Sequence, residues 1–137
     1  MKPPAALFFA SIVAFTPVAN GDAKDCDDGV NGALQTAQCL GQIVEKRRET
    51  VQTLYLSALT KIPDTATDAR STRQQFELEQ AAWEKYESEH CAFYGGVSEG
   101  ASAWISLASA RCELKELDSR IGFLKNIPWN PERYPSD

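Results

Sequence analysis

Three long stretches of this chain carry apolar residues at the spacing of an amphipathic helix, and no stretch shows useful strand-like alternation. The first covers residues 33–62, the second runs from about Thr67 to Cys91 or Tyr94, and the third covers roughly 102–126. The pattern predicts an all-α fold, a small bundle of three main antiparallel helices with short connections.

The apolar stripes indicate which side chains face the core, whereas the charges at 45–49 fall mostly on a solvated face. In the first helix the inward residues are Leu40, Val44, Val51, Leu54, Tyr55, Ala58, Leu59 and Ile62. In the second they are Ala69, Thr72, Phe76, Gln80, Trp83 and His90, with Tyr86 at the margin. In the third they are Ile105, Ala108, Cys112, Leu117, Ile121 and Leu124.

The first two dozen residues differ from the rest of the chain. A positively charged start precedes residues 5–19, an apolar run of signal-peptide length that is too short for a stop-transfer helix. Small residues allow cleavage after Gly21 or after Ala23. We therefore expect a mature protein without a membrane anchor, from a chain with a signal peptide over 1–23, a helical domain over 24–126 and a proline-rich tail over 127–137.

Length and charge narrow the class of protein. Without the leader about 115 residues remain, which suits one domain with one modest core. The full chain has 14 basic and 19 acidic residues, a net charge of −5. An acidic exported protein is a poor ligand for nucleic acid and a plausible partner for a basic protein.

The four cysteines form an even set that fits an oxidising compartment, the periplasm or the extracellular space. Four cysteines allow three pairings, and pairing of sequence neighbours would give Cys26–Cys39 and Cys91–Cys112. Closing a loop of about 20 residues stabilises a fold by roughly 3 kcal/mol in the chain-entropy model. That is a large share of the stability of a small domain.

The stretch HCAFYGG, residues 90–96, places the only histidine beside a cysteine. Consecutive helical residues point about 100° apart, so His90 is badly placed to serve Cys91 as a base. The chain has no CxxC or HxxxH pair for zinc, and no GxSxG, HExxH or phosphate-loop motif. We therefore predict no catalytic residue, no metal site and no cofactor, with His90 as a core or capping residue and Gly95-Gly96 as a helix stop.

A Cys91–Cys112 bridge would impose a geometric demand. Cys112 would lie some 15 Å along a helix that begins at Ser102, since each residue rises about 1.5 Å, whereas bridged Cα atoms lie within about 7 Å. Either the third helix starts late or its beginning overhangs the second, so residues 92–108 form an excursion clamped at its base. Its aromatic and small polar side chains suit a protein partner, or alternatively cap the core. The candidate partner-binding residues are Phe93, Tyr94, Ser98, Glu99, Ser102 and Trp104.

A recurrent spacing links these residues: Gln80, Trp83, Tyr86, Cys91, Gly95, Gly96, Cys112, Arg120 and Leu124. It resembles the N-terminal domain of the LprI-type lysozyme inhibitors. That family carries Gln-x-x-Trp-x-x-aromatic-Arg-x-x-x-Cys, a Gly-Gly or Gly-Ser stretch, then a cysteine and an Arg-x-x-x-Leu helix, with an earlier cysteine and tyrosine. The resemblance covers about residues 26–126, with Cys39, Cys91 and Cys112 at the cysteine positions. It implies a helical exported inhibitor whose motif residues are structural, here Tyr55, Gln80, Trp83, Tyr86, Gly95, Gly96, Arg120 and Leu124.

The chain departs from this pattern at several positions. The family's usual Asp and Leu-Asn before the tyrosine are Arg48, Val51 and Gln52 here. Its arginine four residues after the tryptophan is Glu87, and its threonine before the third-helix arginine is Leu117. An acid in place of that arginine is expected to alter a buried pairing or the binding surface.

The residues and the resemblance support two functions. The first is an exported helical protein that binds and blocks a lysozyme or another cell-wall hydrolase stoichiometrically, with Ser98 and Glu99 reaching the substrate cleft. Lysozymes of the common animal type are basic, so opposite charge would speed the encounter. The second is an envelope adaptor or structural protein that binds another exported protein without inhibiting lysozyme.

Overall fold

The computed structural model describes residues 22–26, 32–62, 66–67, 70–98 and 100–127. Its helices are α1 over Ala33–Lys61, α2 over Thr72–Val97 and α3 over Ser102–Lys125, preceded by a 3-10 helix over Ala23–Cys26. Two-residue strands, β1 over Ala66–Thr67 and β2 over Arg70–Ser71, pair antiparallel between α1 and α2. The predicted three-helix bundle is confirmed, with this minimal hairpin added. The signal-peptide prediction up to residue 21, and the tail beyond Ile127, lie outside the described residues.

α3 is the central helix and packs against both α1 and α2. α1 and α3 run in the same direction and α2 runs opposite to them. Most of the core therefore comes from one face of α1 and one of α3: Leu40, Ile43, Val44, Val51, Leu107, Ala110, Leu114, Leu117, Ile121 and Leu124. The buried residues of α2 are of another kind, namely Gln80, Glu87, Cys91 and Gly95. Polar contacts, a disulfide and the half-buried rings of Phe76 and Trp83 therefore hold α2, whereas aliphatic packing holds α1.

Both disulfides join sequence neighbours, as one of the three possible pairings predicted. Cys26 and Cys39 lie with their Cα atoms 5.7 Å apart, so the first bridge ties the 3-10 helix to α1. Cys91 and Cys112 lie 5.4 Å apart and tie α2 to α3. Two bridges of this kind fit an oxidising compartment.

The excursion predicted over residues 92–108 is a helical hairpin, which we name the hairpin tip. α2 continues for about 9 Å beyond Cys91, and α3 begins about 15 Å before Cys112, so both helices overhang the bridge. The first turns of α1 lie beside Arg111 and Leu114 of α3, because these side chains line one cavity with Thr36. Most of the hairpin tip therefore projects past the beginning of α1.

The prediction that α2 stops at Gly95-Gly96 is wrong, since the helix continues to Val97. The turn that follows contains Gly100 at φ 138°, a conformation that glycine adopts without strain. Gly95 has a different purpose: a Cβ there would lie 2.1 Å from Oγ of Ser109 and 3.1 Å from the carbonyl oxygen of Ile105. The absence of a side chain at Gly95 lets α2 and α3 approach closely.

Two further predictions need correction. α2 begins at Thr72 instead of about Thr67, because Ser71 caps it: its hydroxyl accepts from the N–H of Gln74 at 3.2 Å, and the Gln74 side chain accepts from the Ser71 N–H at 3.1 Å. Ile105, predicted to face inward, is exposed because the first turns of α3 project beyond α1.

The adjacent glycines offer a matched test of the helix contact. Gly96→Ala meets no atom within 4 Å, so we expect it to stabilise the protein by about 0.5–1 kcal/mol through helix propensity. Gly95→Ala should destabilise it by about 1–3 kcal/mol, because the helices must separate. Urea unfolding measures both, and equal effects at the two positions would contradict the close contact.

Candidate functional site

Arg48 of α1 joins all three helices. Its Nη1 and Nη2 donate to the two carboxylate oxygens of Glu87 on α2 at 3.2 and 2.9 Å, and Nη2 also donates to Glu113 on α3 at 2.8 Å. The Glu87 side chain is only 1% exposed. A carboxylate at that depth requires a charged, hydrogen-bonded partner. We call these three residues the Arg48 cluster.

The two acids also set the charge state of the cluster. Burial alone would lower the pKa of Arg48, but the hydrogen bonds and charges of Glu113 and Glu87 outweigh burial and raise the pKa above its ordinary value. Arg48 therefore stays protonated, and its positive charge is matched by neighbouring carboxylates.

Two of the departures from the LprI pattern meet in this cluster. The pattern has an acid at the position of Arg48 and an arginine at the position of Glu87, and these two side chains form a bidentate ion pair here. The two departures are therefore of opposite charge and contact each other in this chain.

Arg120 of α3 makes a second polar contact with α2. Its guanidinium donates to both carboxylate oxygens of Glu79 and, through Nε at 3.1 Å, to Oε1 of Gln80. The same group lies 5.1 Å from the centre of the Trp83 ring, within cation–π range. Arg120 thus contacts two other residues of the family motif, Gln80 and Trp83. We call these three residues, together with Glu79, the Arg120 cluster.

The remaining motif residues divide between core and surface. Tyr55 packs on Phe76 with ring centres 5.3 Å apart, which joins α1 to α2. Burial and the negative charges of Glu77 and Glu84 raise the pKa of Tyr55. Leu124 is buried in the core, whereas Gly96 is exposed.

His90, predicted to be a core or capping residue, is not buried in the core; it lines a cavity beside α3 with Arg111 and Cys112. It is half-buried, and it stacks on the ring of Tyr86 at 5.1 Å. Tyr86 itself is exposed. The two residues are one turn apart on α2, so the stacking is a local contact within that helix.

The hairpin tip exposes large apolar side chains. Among the described residues ten large hydrophobics are exposed, and five of them fall within the tip. They are Phe93 at 68%, Trp104 at 56%, Val97 at 55%, Tyr94 at 50% and Ile105 at 36%. These exposures argue against the alternative that the tip aromatics cap the core. Concentrated exposed apolar surface of this kind marks interaction sites.

The polar candidates of the tip are placed differently. Ser102 is exposed at the start of α3. Ser98 is half-buried at the end of α2, where its hydroxyl donates to the carbonyl of Tyr94 at 3.0 Å. Glu99 lies outside the described residues.

A groove of about 590 Å³ separates α1 from α2 over α3. We call it the α1/α2 groove; it is lined by Arg48, Glu49, Val51, Gln52, Thr53, Trp83, Glu84 and Leu117. Four of these residues differ from the family pattern given above, namely Arg48, Val51, Gln52 and Leu117, so most of the differences line this groove.

Within the residues described, no group of three or more His, Cys, Asp or Glu side chains is arranged to hold a metal ion. None of the described helices is long and apolar enough to cross a bilayer.

Comparison with known protein families identifies the family of this chain. Residues 26–124 match the profile of the family described as lysozyme inhibitor LprI. The chain belongs to the LprI lysozyme inhibitor family. The match begins at the first cysteine and ends at Leu124, so it spans both disulfides and nearly all of the three helices. No curated protein and no solved structure matches the chain.

Sequence reasoning missed the Arg48 cluster of this LprI family member, because the charges at 45–49 were assigned to a solvated face. Arg48 lies four residues after Val44 and three before Val51, in line with the apolar stripe. Glu87 lies four residues before Cys91. The available signal is that an acid and a base each lie in line with the apolar face of a helix. Their contact could not be predicted from that signal, because it depends on how the three helices pack.

The Arg48–Glu87 ion pair can be tested by reversing its charges. Arg48→Glu places like charges around Glu87, so we expect a loss of roughly 3–5 kcal/mol in unfolding free energy. Glu87→Arg should cost a similar amount, and the double variant should recover about 2 kcal/mol relative to the sum of the two. Urea unfolding of the four proteins measures this coupling.

A neighbouring arginine supplies the control for that cycle. Arg47 pairs with Asp118 at 2.9 Å on the surface, and Arg47→Glu should cost no more than about 1 kcal/mol. Additive effects of Arg48→Glu and Glu87→Arg would show that the buried pair does not hold the helices.

Proposed function

We propose that this protein is an exported inhibitor that binds a lysozyme or another cell-wall hydrolase through its hairpin tip. Membership of the LprI family supports the class of partner. The observation that carries the location is the concentration of exposed apolar side chains on the tip. Aromatic anchors of this kind provide most of the energy in many protein interfaces.

The construction of the tip suits an inhibitor. The Cys91–Cys112 bridge and the close helix contact at Gly95 hold the hairpin in one conformation before a partner arrives. A rigid contact surface loses less conformational entropy on binding. A convex helical hairpin also complements a concave substrate cleft, so the tip would exclude substrate from the enzyme. Ser98 and Glu99 are the proposed polar contacts beside the aromatic anchors.

The net negative charge of the protein would act mainly on the rate at which it meets a basic enzyme. The chain has a net charge of −5, whereas residues 92–108 contain one charged residue, Glu99. Attraction to a basic enzyme would therefore arise from the rest of the surface, and the contact itself would be largely apolar. Added salt should slow association more than it speeds dissociation.

We also propose that the protein acts in the periplasm or outside the cell, as a mature chain without a membrane anchor. The two disulfides support an oxidising compartment. The apolar run over residues 5–19 supports export by a signal peptide.

Titration of a basic animal-type lysozyme tests the function. We expect turnover to fall to a stoichiometric endpoint at low salt. Phe93→Ser and Trp104→Ser should each weaken binding about tenfold or more, because each removes an aromatic anchor. Binding of the two purified proteins should be measured directly, beside the turnover assay.

Leu56→Ser is the matched control, because Leu56 is 51% exposed on α1 and distant in sequence from the tip. It should leave affinity unchanged. No inhibition at about tenfold excess and low salt would contradict the proposal, given the stoichiometric binding expected of an inhibitor. Binding without inhibition would instead support an envelope adaptor.

A further inference from the structure

We propose that the α1/α2 groove is a binding site for a neutral saccharide, distinct from the hairpin tip. Its volume of about 590 Å³ lies within the range of roughly 300–1,000 Å³ typical of small-molecule sites. This inference goes beyond the proposed inhibition of a hydrolase, since it concerns a different surface and a different ligand.

The groove combines an apolar base with one aromatic wall. Val51 and Leu117 are buried beneath it, and the half-buried Trp83 lines its side. A pyranose ring has an apolar face of C–H groups that packs on an indole, whose faces carry partial negative charge. The Arg120 guanidinium lies 5.1 Å from the Trp83 ring centre, a cation–π contact that favours this position of the indole.

The polar side chains at the rim of the groove can form hydrogen bonds with the hydroxyls of a sugar. The Gln52 amide is both a donor and an acceptor, and the carboxylates of Glu49 and Glu84 accept hydrogen bonds. One oxygen of Glu84 already accepts from Nε2 of Gln80 at 2.9 Å, which holds this carboxylate in place. Thr53 adds a hydroxyl whose hydrogen is directed to the carbonyl of Glu49 at 2.9 Å, so it serves as an acceptor.

The charges of the groove argue against other ligand classes. Among the described residues that line it, Arg48 is the one cation, and both of its terminal nitrogens donate to carboxylates of Glu87 and Glu113. The acids of the rim repel a phosphate or a carboxylate. A charged rim also opposes an acyl chain, because burial of unpaired charge is costly. An uncharged ligand with many hydroxyls and one apolar face fits these constraints.

The groove and the tip can be occupied separately. Trp83 and Phe93 lie about 15 Å apart along α2, with the Cys91–Cys112 bridge between them in sequence. A saccharide in the groove therefore leaves the exposed aromatics of the tip accessible.

The test is NMR of the full mature protein with two probes, N,N′-diacetylchitobiose and cellobiose, in the absence of any lysozyme. The chain has three tryptophans, so their indole N–H signals report separate places. We expect saturable shifts for the Trp83 indole and for the backbone amides of Gln52 and Glu84, with the Trp104 indole unchanged. No saturable shift with either probe up to about 20 mM, beyond the range of weak specific binding, would overturn the proposal.

Two matched variants separate binding from folding. Gln52→Ala should weaken the probe about tenfold, because it removes hydrogen bonds to the ligand. Gln42→Ala, at an exposed position on the same helix but outside the groove, should leave affinity unchanged. Equal affinity of the Gln52 variant and the native protein would overturn the site, provided that both give native circular dichroism.

A cationic probe distinguishes the main alternative. Nα-acetyl-lysine methylamide tests whether the acids and Trp83 recognise a basic side chain. Tighter binding of this probe than of both sugars at the same residues would overturn the assignment. Because these measurements contain no enzyme, failure of the saccharide site and failure of the proposed inhibition are distinguishable.

Discussion

The carboxylate of Glu87 must be paired before α2 can pack, because a lone buried charge is among the costliest features a small fold can carry. Arg48 supplies that pair, and it also reaches Glu113 on α3, so one guanidinium orients three helices. α2 depends on such contacts because its buried residues include no large aliphatic side chain. The Arg120 cluster and the Cys91–Cys112 bridge complete the attachment at two other levels of the helix.

The shape of the molecule follows from this attachment. Once polar contacts align α2 with α3, the bridge clamps both helices well before they end, and the hairpin tip projects beyond α1. Its aromatics are exposed because no third helix reaches them. The α1/α2 groove arises for a related reason: α1 and α2 both pack on α3, which leaves a space between them that polar side chains line.

Local rules were sufficient to predict much of the fold. The helical stripes predicted α1 and α3 to within about a residue, close to the ambiguity of helix ends themselves. They failed where tertiary contacts override them, as at Gly95, which permits close packing in mid-helix. The capping box at Ser71 and Gln74 was a readable signal for the start of α2. The pairing of Arg48 with Glu87 was not readable, since it joins residues on separate helices. The tip residues could be identified from their position between Cys91 and Cys112. Their exposure could not, because it depends on where α1 begins relative to α3.

Hydrogen–deuterium exchange of the complex with a basic lysozyme tests the central claim most directly, namely that the hairpin tip is the contact surface. The account predicts new protection of backbone amides within residues 92–108, and none in the middle of α1, when the enzyme is added. Protection confined to α1 or to the α1/α2 groove, with the tip exchanging as in the free protein, would contradict it.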